Sequence, residues 1–148
     1  MTHRDHFLPF FVVLAFAAAA GCASSEIRPV ELYAEDACAM CRMAVSDPAF
    51  ASEIITLDGD VLKFDDLRCL ENYRREHATL RIRAIFVKDY ETRAWLPYER
   101  SVMVRTSIAT PMGSGTIAAA SADQARRLSE AHPPDEEPDA CCATGRSE

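Results

Sequence analysis

A chain of 148 residues with a hydrophobic fraction of 49% has room for one domain with a modest core. Its formal net charge of −7, with no cluster of Lys or Arg along the sequence, offers nothing to neutralise a phosphate backbone and argues against nucleic-acid binding. The acidic balance serves solubility.

Residues 1–21, MTHRDHFLPFFVVLAFAAAAG, open with a short polar stretch containing Arg4 and continue as an apolar run of fourteen residues from Phe7 to Ala20. That length suits the core of an export signal and falls short of the about 20 residues that span a bilayer. The ending AAGC resembles a bacterial lipoprotein processing site, with Ala19 standing where Leu is commoner. It implies that Cys22 becomes the acylated first residue of the mature chain. The plainer alternative is secretion with cleavage after an alanine. The following ASSE starts a tether, residues 22–36, so the expected location is the periplasm-facing cell envelope, held to the membrane by lipid.

An exported chain meets an oxidising compartment, where cysteines are usually paired. Setting Cys22 aside leaves Cys38, Cys41, Cys69, Cys141 and Cys142, an odd number. A complete disulfide framework does not fit, so some thiols are free, lost in a tail or held by something else.

From Phe50, FASEIITLDGDVLKF contains two β-rich runs around Asp58-Gly59, a strong hairpin signal. Asp65 or Asp66 then caps a helix with Leu67, Leu70 and Tyr73 on one face, ending near His77. In LRIRAIFV, Leu80, Ile82, Ala84 and Phe86 alternate with Arg81 and Arg83, which predicts a strand with one buried face. A turn at Asp89–Thr92 and a short run around Trp95 lead to two further strands, SVMVRT and GTIAAA, flanking the loop SIATPMGSG. Ser121 with Gln124 forms a capping-box start for a helix through Leu128 to about Ala131. The expected fold is α+β, a ββαβ unit followed by a second, similar one. Beyond His132, the acidic, proline-rich residues 133–148 are expected to be disordered.

The chemistry concentrates in ACAMCRM, residues 37–43, which holds two of six Cys and two of five Met. Cys38 and Cys41 have the C-x-x-C spacing of thiol oxidoreductases, but Asp47-Pro48 and an antiparallel hairpin follow instead of a thioredoxin-like βαβ pattern. A zinc site would call for more Cys or His, and after the signal only His77 and His132 remain. Met40 and Met43 add soft thioethers, and thiolate with thioether selects Cu(I). On a helix, at about 100° per residue, the Cys and Met pairs would face nearly opposite ways. A strand would pair Cys38 with Met40 and Cys41 with Met43. The expected geometry is therefore a bend using two or three of the sulfurs, helped from elsewhere by Met112, which Pro111 and Gly113 hold in a turn expected to expose its side chain instead of burying it. The bland alternative is that Met40 and Met43 fill gaps in the core. Cys69 reads as a small buried thiol, His77 as a residue suited to its helix C-terminus, Asp65-Asp66 as capping, and Cys141 and Cys142 as incidental thiols of the tail.

DACAMCRM resembles the D-x-C-x-x-C-x-M signature of the NosL family, copper-binding accessory lipoproteins of nitrous oxide reductase. The similarity continues through LDGDVLKFDDLRCL, IRAIFVKDYETRAWL and RTSIATPMGSGTIAAAS, from about Asp36 to His132, with TPMGSG and KDYETRAW its more specific matches. The resemblance implies two similar ββαβ units, Cu(I) as cargo, and delivery with a membrane copper-handling complex to the reductase apoprotein for its copper-sulfide centre. By position it implies Cys38, Cys41, Met43 and Met112 as site residues, whereas Met40 occupies a variable position of the motif. Where the resemblance suggests a final strand, this chain has its acidic tail, which puts the completeness of the second unit in question. Transfer by ligand exchange implies no enzyme activity. The rival readings are a periplasmic C-x-x-C thiol-disulfide oxidoreductase and a structural envelope lipoprotein.

Overall fold

The computed structural model describes residues 26–135. The signal segment, Cys22, Cys141 and Cys142 lie outside the described residues.

Strands β1 (Ser52–Thr56) and β2 (Val61–Phe64) form the expected hairpin. Its turn is closed by the Thr56 N–H on the Asp60 carbonyl at 2.9 Å, with Gly59 at φ +95°, a conformation an L side chain resists. Helix α1 (Leu67–Glu76) follows directly. Of the two aspartates offered as caps, Asp66 is the one used: its backbone is extended and its carboxylate accepts from the Arg68 N–H. Strand β3 (Ile82–Lys88) returns antiparallel to β1, and β4 (Trp95–Pro97) lies outside it, giving the order β2-β1-β3-β4. This completes the first ββαβ unit. Central β1 is buried along its whole length because both sheet faces are covered.

One face packs under α1. Ile54, Phe64, Leu67, Leu70, Ile85 and Val87 form its core with Cys38 and Cys69, each large apolar side chain contributing about 1.5–3 kcal/mol on burial. The expected single buried face of β3 is corrected by a bulge. The register with β1 shifts between Ile55 and Thr56, so Thr56 pairs with Ile82 while Ile55 pairs with Ala84. The shift changes which side chains point inward. Leu80 and Ile82 therefore pack against the core together with Ile85 and Val87, and Phe86 is buried on the opposite face.

That opposite face carries Glu53 directly across from Lys63. Residues 26–36, part of the segment expected as a tether, form no helix or strand but are fastened here. The Val30 N–H donates to Glu53 Oε1 at 2.9 Å, and Lys63 Nζ donates to the Glu31 carbonyl at 2.6 Å and to Asp36 Oδ2 at 2.5 Å. Burial pushes the Glu53 carboxyl above the ordinary carboxylate range.

The second unit comprises β5 (Val102–Arg105), β6 (Thr116–Ala119) and α2 (Ala122–Ala131). Ser121 caps α2 by accepting from the Gln124 N–H, and Gln124 Oε1 reaches back to the Ala120 N–H. Val104, Ile117, Ala119, Ala125 and Leu128 make its core. Among the described residues no third strand follows α2, so this unit is ββα. Buried Asp89, just past β3, joins the units through a parallel bridge to Ala118 and a 2.7 Å hydrogen bond from Gln124 Nε2.

Candidate metal centre

Residues 37–44 fold as one closed bend. Ala37 bridges to Ala44, the Cys38 N–H donates to the Met43 carbonyl at 2.8 Å, and the Arg42 N–H donates to the Cys38 carbonyl at 3.0 Å. Arg42 ends this single turn at φ +67°, a left-handed position that stops a helix from propagating. One turn suffices to put Cys38 and Cys41 on the same side. The Ala39 N–H then ties the bend to β2 through the Lys63 carbonyl at 2.8 Å.

That tie brings the bend over the β2–α1 junction. Asp65 begins the link between the two elements, and Cys69 stands in the first turn of α1, three residues beyond the Asp66 cap. One ligand atom from each of Cys38, Cys41, Asp65 and Cys69 lies within 4.8 Å of all the others. All three cysteines are free thiols. Cys38, Asp65 and Cys69 are buried, whereas Cys41 is half-buried and forms the open side. The Cys41 thiol donates to Asp65 Oδ2 at 3.5 Å, and Asp65 Oδ1, buried, has no hydrogen-bond partner.

Burial pushes the Cys38 thiol up against the opposing pull of nearby backbone N–H groups. Cys69 is pushed up further, by burial first and then by Asp65 and Cys38 beside it. The first turn of a helix favours a thiolate, but here desolvation wins, so both thiols stay protonated at neutral pH in the absence of a cation.

The loop Thr110–Gly115 is fixed beside the cluster by the same helix start. The Met112 N–H donates to Asp66 Oδ2 at 2.9 Å, and Arg68 Nη2 donates to the Gly113 carbonyl at 3.1 Å. The Thr110 hydroxyl accepts from the Ser114 and Gly115 N–H groups and closes the loop.

A family model for NosL matches residues 29–133. The chain belongs to the NosL family. No curated protein sequence matches it. A solved structure that is similar, the crystal structure of the copper chaperone NosL from Shewanella denitrificans, superposes with a TM-score of 0.64 at 16% identity, covering 71% of this chain and 87% of that one. At that identity the likeness establishes a shared fold, the α+β arrangement described above.

In this NosL-family chain the residues expected at the site fall into three positions. Cys38 and Cys41 meet in the cluster. Met40 and Met112, both half-buried, pack against the apolar core that includes Cys38 and Cys69, as does Met103, so the turn at Met112 does not expose its side chain as expected but lays it on the core. Met43 is 57% exposed, and its backbone rather than its side chain meets Cys38.

Cys69 is buried as expected, and it is also a neighbour of the C-x-x-C pair, which the helix pattern of Leu67, Leu70 and Tyr73 did not reveal. The reading of Asp65-Asp66 as capping holds for Asp66 only, because Asp65 faces the thiols. The signal available was the spacing FDDLRC, which sets a carboxylate four residues before a thiol at a helix start, together with the odd cysteine count. His77 stacks on Tyr73 with ring centroids 3.9 Å apart and takes no part in the cluster.

Proposed function

We propose that this protein is a Cu(I) carrier of the cell envelope, holding the ion on cysteine sulfur and passing it on by ligand exchange. The observation that carries this reading is the convergence of Cys38, Cys41 and Cys69, three free thiols with sulfurs within 4.8 Å of one another, with Met40 and Met112 among the residues packed against the core that contains Cys38 and Cys69. A soft, sulfur-rich donor set favours Cu(I) over harder divalent ions. The description of the Shewanella relative as a copper chaperone agrees with it.

Cys38 and Cys69 form the buried part of the site and Cys41 its accessible edge. Met40, Met43 and Met112 are the thioether donors, with exposed Met43 the one a partner's ligand meets first. Low coordination leaves room for an incoming ligand to bind before one leaves, so no covalent bond of a substrate is made or broken and the protein is not an enzyme. Following the family resemblance, the copper goes to the nitrous oxide reductase apoprotein with a membrane copper-handling complex, on the periplasmic side, from a chain anchored through lipidated Cys22.

Asp65 favours a second reading. A carboxylate completing three thiolates makes a tetrahedral site that suits Zn(II). Cu(I) loading of the reduced protein in competition with a chelator, followed by X-ray absorption, separates the two. A copper shell of two or three sulfurs is expected, weakened when Cys38, Cys41 and Met43 are changed to Ala. Unchanged Cu(I) affinity in that triple variant, or bound Zn(II) that Cu(I) fails to displace, would sink the copper reading. An oxidoreductase would instead reduce protein disulfides and tolerate Met40→Ala with Met43→Ala.

A further inference from the structure

The sequence has no run of basic residues, yet the fold gathers three arginines around one groove. Arg68 and Arg75 project from α1 and Arg105 from the end of β5, all exposed, around a cavity of about 320 Å³ that also meets Asn72, Ser114 and Thr116. Among the described residues none of the three arginines takes part in an ion pair. The acid on the same wall, Glu71, is already engaged, by Arg74 at 3.1 Å and by the Tyr98 hydroxyl at 2.8 Å. Arg75 donates to Asn72 Oδ1, so the side-chain amide N–H groups of Asn72 remain as further donors in the groove lining. On a chain of net charge −7 this is a local positive basin rich in hydrogen-bond donors.

Its position gives the basin a use. Leu67, on the groove floor, packs in the same core as Cys38 and Cys69. Arg68 holds the Gly113 carbonyl, and Ser114 belongs to the loop that carries Met112. An occupant of the groove therefore rests on the elements that frame the thiol cluster.

We propose that the Arg68–Arg75–Arg105 groove is the docking surface for an acidic segment of the protein that exchanges copper with this one. The proposal rests on the copper-carrier reading for the identity of that partner, whereas the groove's affinity for carboxylates stands without it. Guanidinium groups pair with carboxylates through two parallel N–H···O bonds, and hydroxyl and amide groups between them suit an extended acidic strand. A concave cleft accepts such a strand more readily than a flat headgroup surface. Complementary charge at a rim of this kind speeds encounter and sets orientation.

The test uses the metal-free full-length chain and a fluorescein-labelled octaglutamate peptide, read by anisotropy, with octaglutamine as the neutral control. Octaglutamate should bind, weaken as salt rises, and weaken at least about tenfold further in Arg75→Glu/Arg105→Glu, but not in Arg81→Glu/Arg126→Glu, which reverses two charges outside the groove. Equal loss in both double variants, equal binding of octaglutamine, or a preference for phosphatidylglycerol vesicles over octaglutamate would overturn the proposal. Cu(I) competition on the same proteins separates it from the copper reading. The groove variant should keep its copper, and Cys38→Ser/Cys41→Ser/Cys69→Ser should lose copper while still binding octaglutamate.

Discussion

The Cys41 thiol donates to Asp65 Oδ2 across 3.5 Å and 24 positions of sequence, joining the accessible edge of the thiol cluster to a buried carboxylate whose other oxygen has no partner. An unpartnered buried oxygen costs about 1–3 kcal/mol, so Asp65 is held at some expense to the fold. Asp65→Asn keeps the shape and removes the charge. It is expected to leave stability within about 1 kcal/mol of the parent and to weaken Cu(I) binding severalfold, because the negative charge beside the bound cation is gone although an amide oxygen can still accept from Cys41. Denaturant titration and chelator competition measure the two effects. A large loss of stability with unchanged copper affinity would make Asp65 a structural residue only.

The three thiols differ in access and in charge state. Cys38 and Cys69 are 0% and 2% exposed, and burial holds both above the ordinary thiol value of 9.0, so little thiolate is present at neutral pH. Cys41 is half-buried. Iodoacetamide should therefore modify Cys41 at least about tenfold faster than either neighbour, and Cu(I) loading should protect all three. Peptide mapping by mass spectrometry after timed quenching gives the order. Comparable rates at Cys41 and Cys69 would mean that the helix start opens freely.

What was legible in the sequence is what local chemistry decides. The Asp58-Gly59 turn, the Asp66 and Ser121 caps and the helix ends near His77 and Ala131 each depend on a few adjacent residues. The bend at ACAMCRM was legible for the same reason, since neither regular element aims its sulfurs together. The membership of Cys69 and Asp65 was not. It depends on the Ala39–Lys63 backbone bond that lays the bend on β2, a contact between segments 24 residues apart with no signature in either. The β3 bulge was hidden similarly, because the alternation Leu80, Ile82, Ala84, Phe86 is the pattern of an unbroken strand. The arginine groove depends on bringing Arg105 beside α1, which separation in sequence conceals.

Two glycines of the Met112 loop separate backbone strain from collision. Gly113 and Gly115 have similar positive φ, +63° and +62°, but a Cβ on Gly113 would meet nothing within 4 Å, whereas one on Gly115 would lie 2.5 Å from the Thr106 carbonyl oxygen. Gly113→Ala should cost about 1 kcal/mol for the left-handed backbone alone. Gly115→Ala must also move the Thr106 carbonyl or the loop, and should cost about 2–4 kcal/mol. Chemical denaturation measures the difference. If Met112 serves the site through this loop, Gly115→Ala should also weaken Cu(I) binding, and equal costs for the two variants would show that the loop yields without resistance.

Asp89 offers a test of how the two units are held together. Its burial disfavours the charged form, but the Thr92 hydroxyl and N–H, Gln124 and the Ala120 backbone outweigh this and hold its carboxyl below the ordinary value of 3.8. A depressed folded value means that the carboxylate contributes stability above pH 3.8, and that this contribution is lost as pH falls through the lowered value. Asp89→Asn should cost about 1.5–3 kcal/mol at pH 7, where charge-assisted hydrogen bonds to Thr92 and Gln124 are weakened. The gap between parent and variant should narrow as the solution is acidified below pH 3.8, while acid sensitivity from Asp66, whose carboxyl is also lowered, persists in both. Urea titrations at neutral and acid pH provide the comparison. A gap that stays constant across that range would mean that Asp89 acts through its shape and not through its charge.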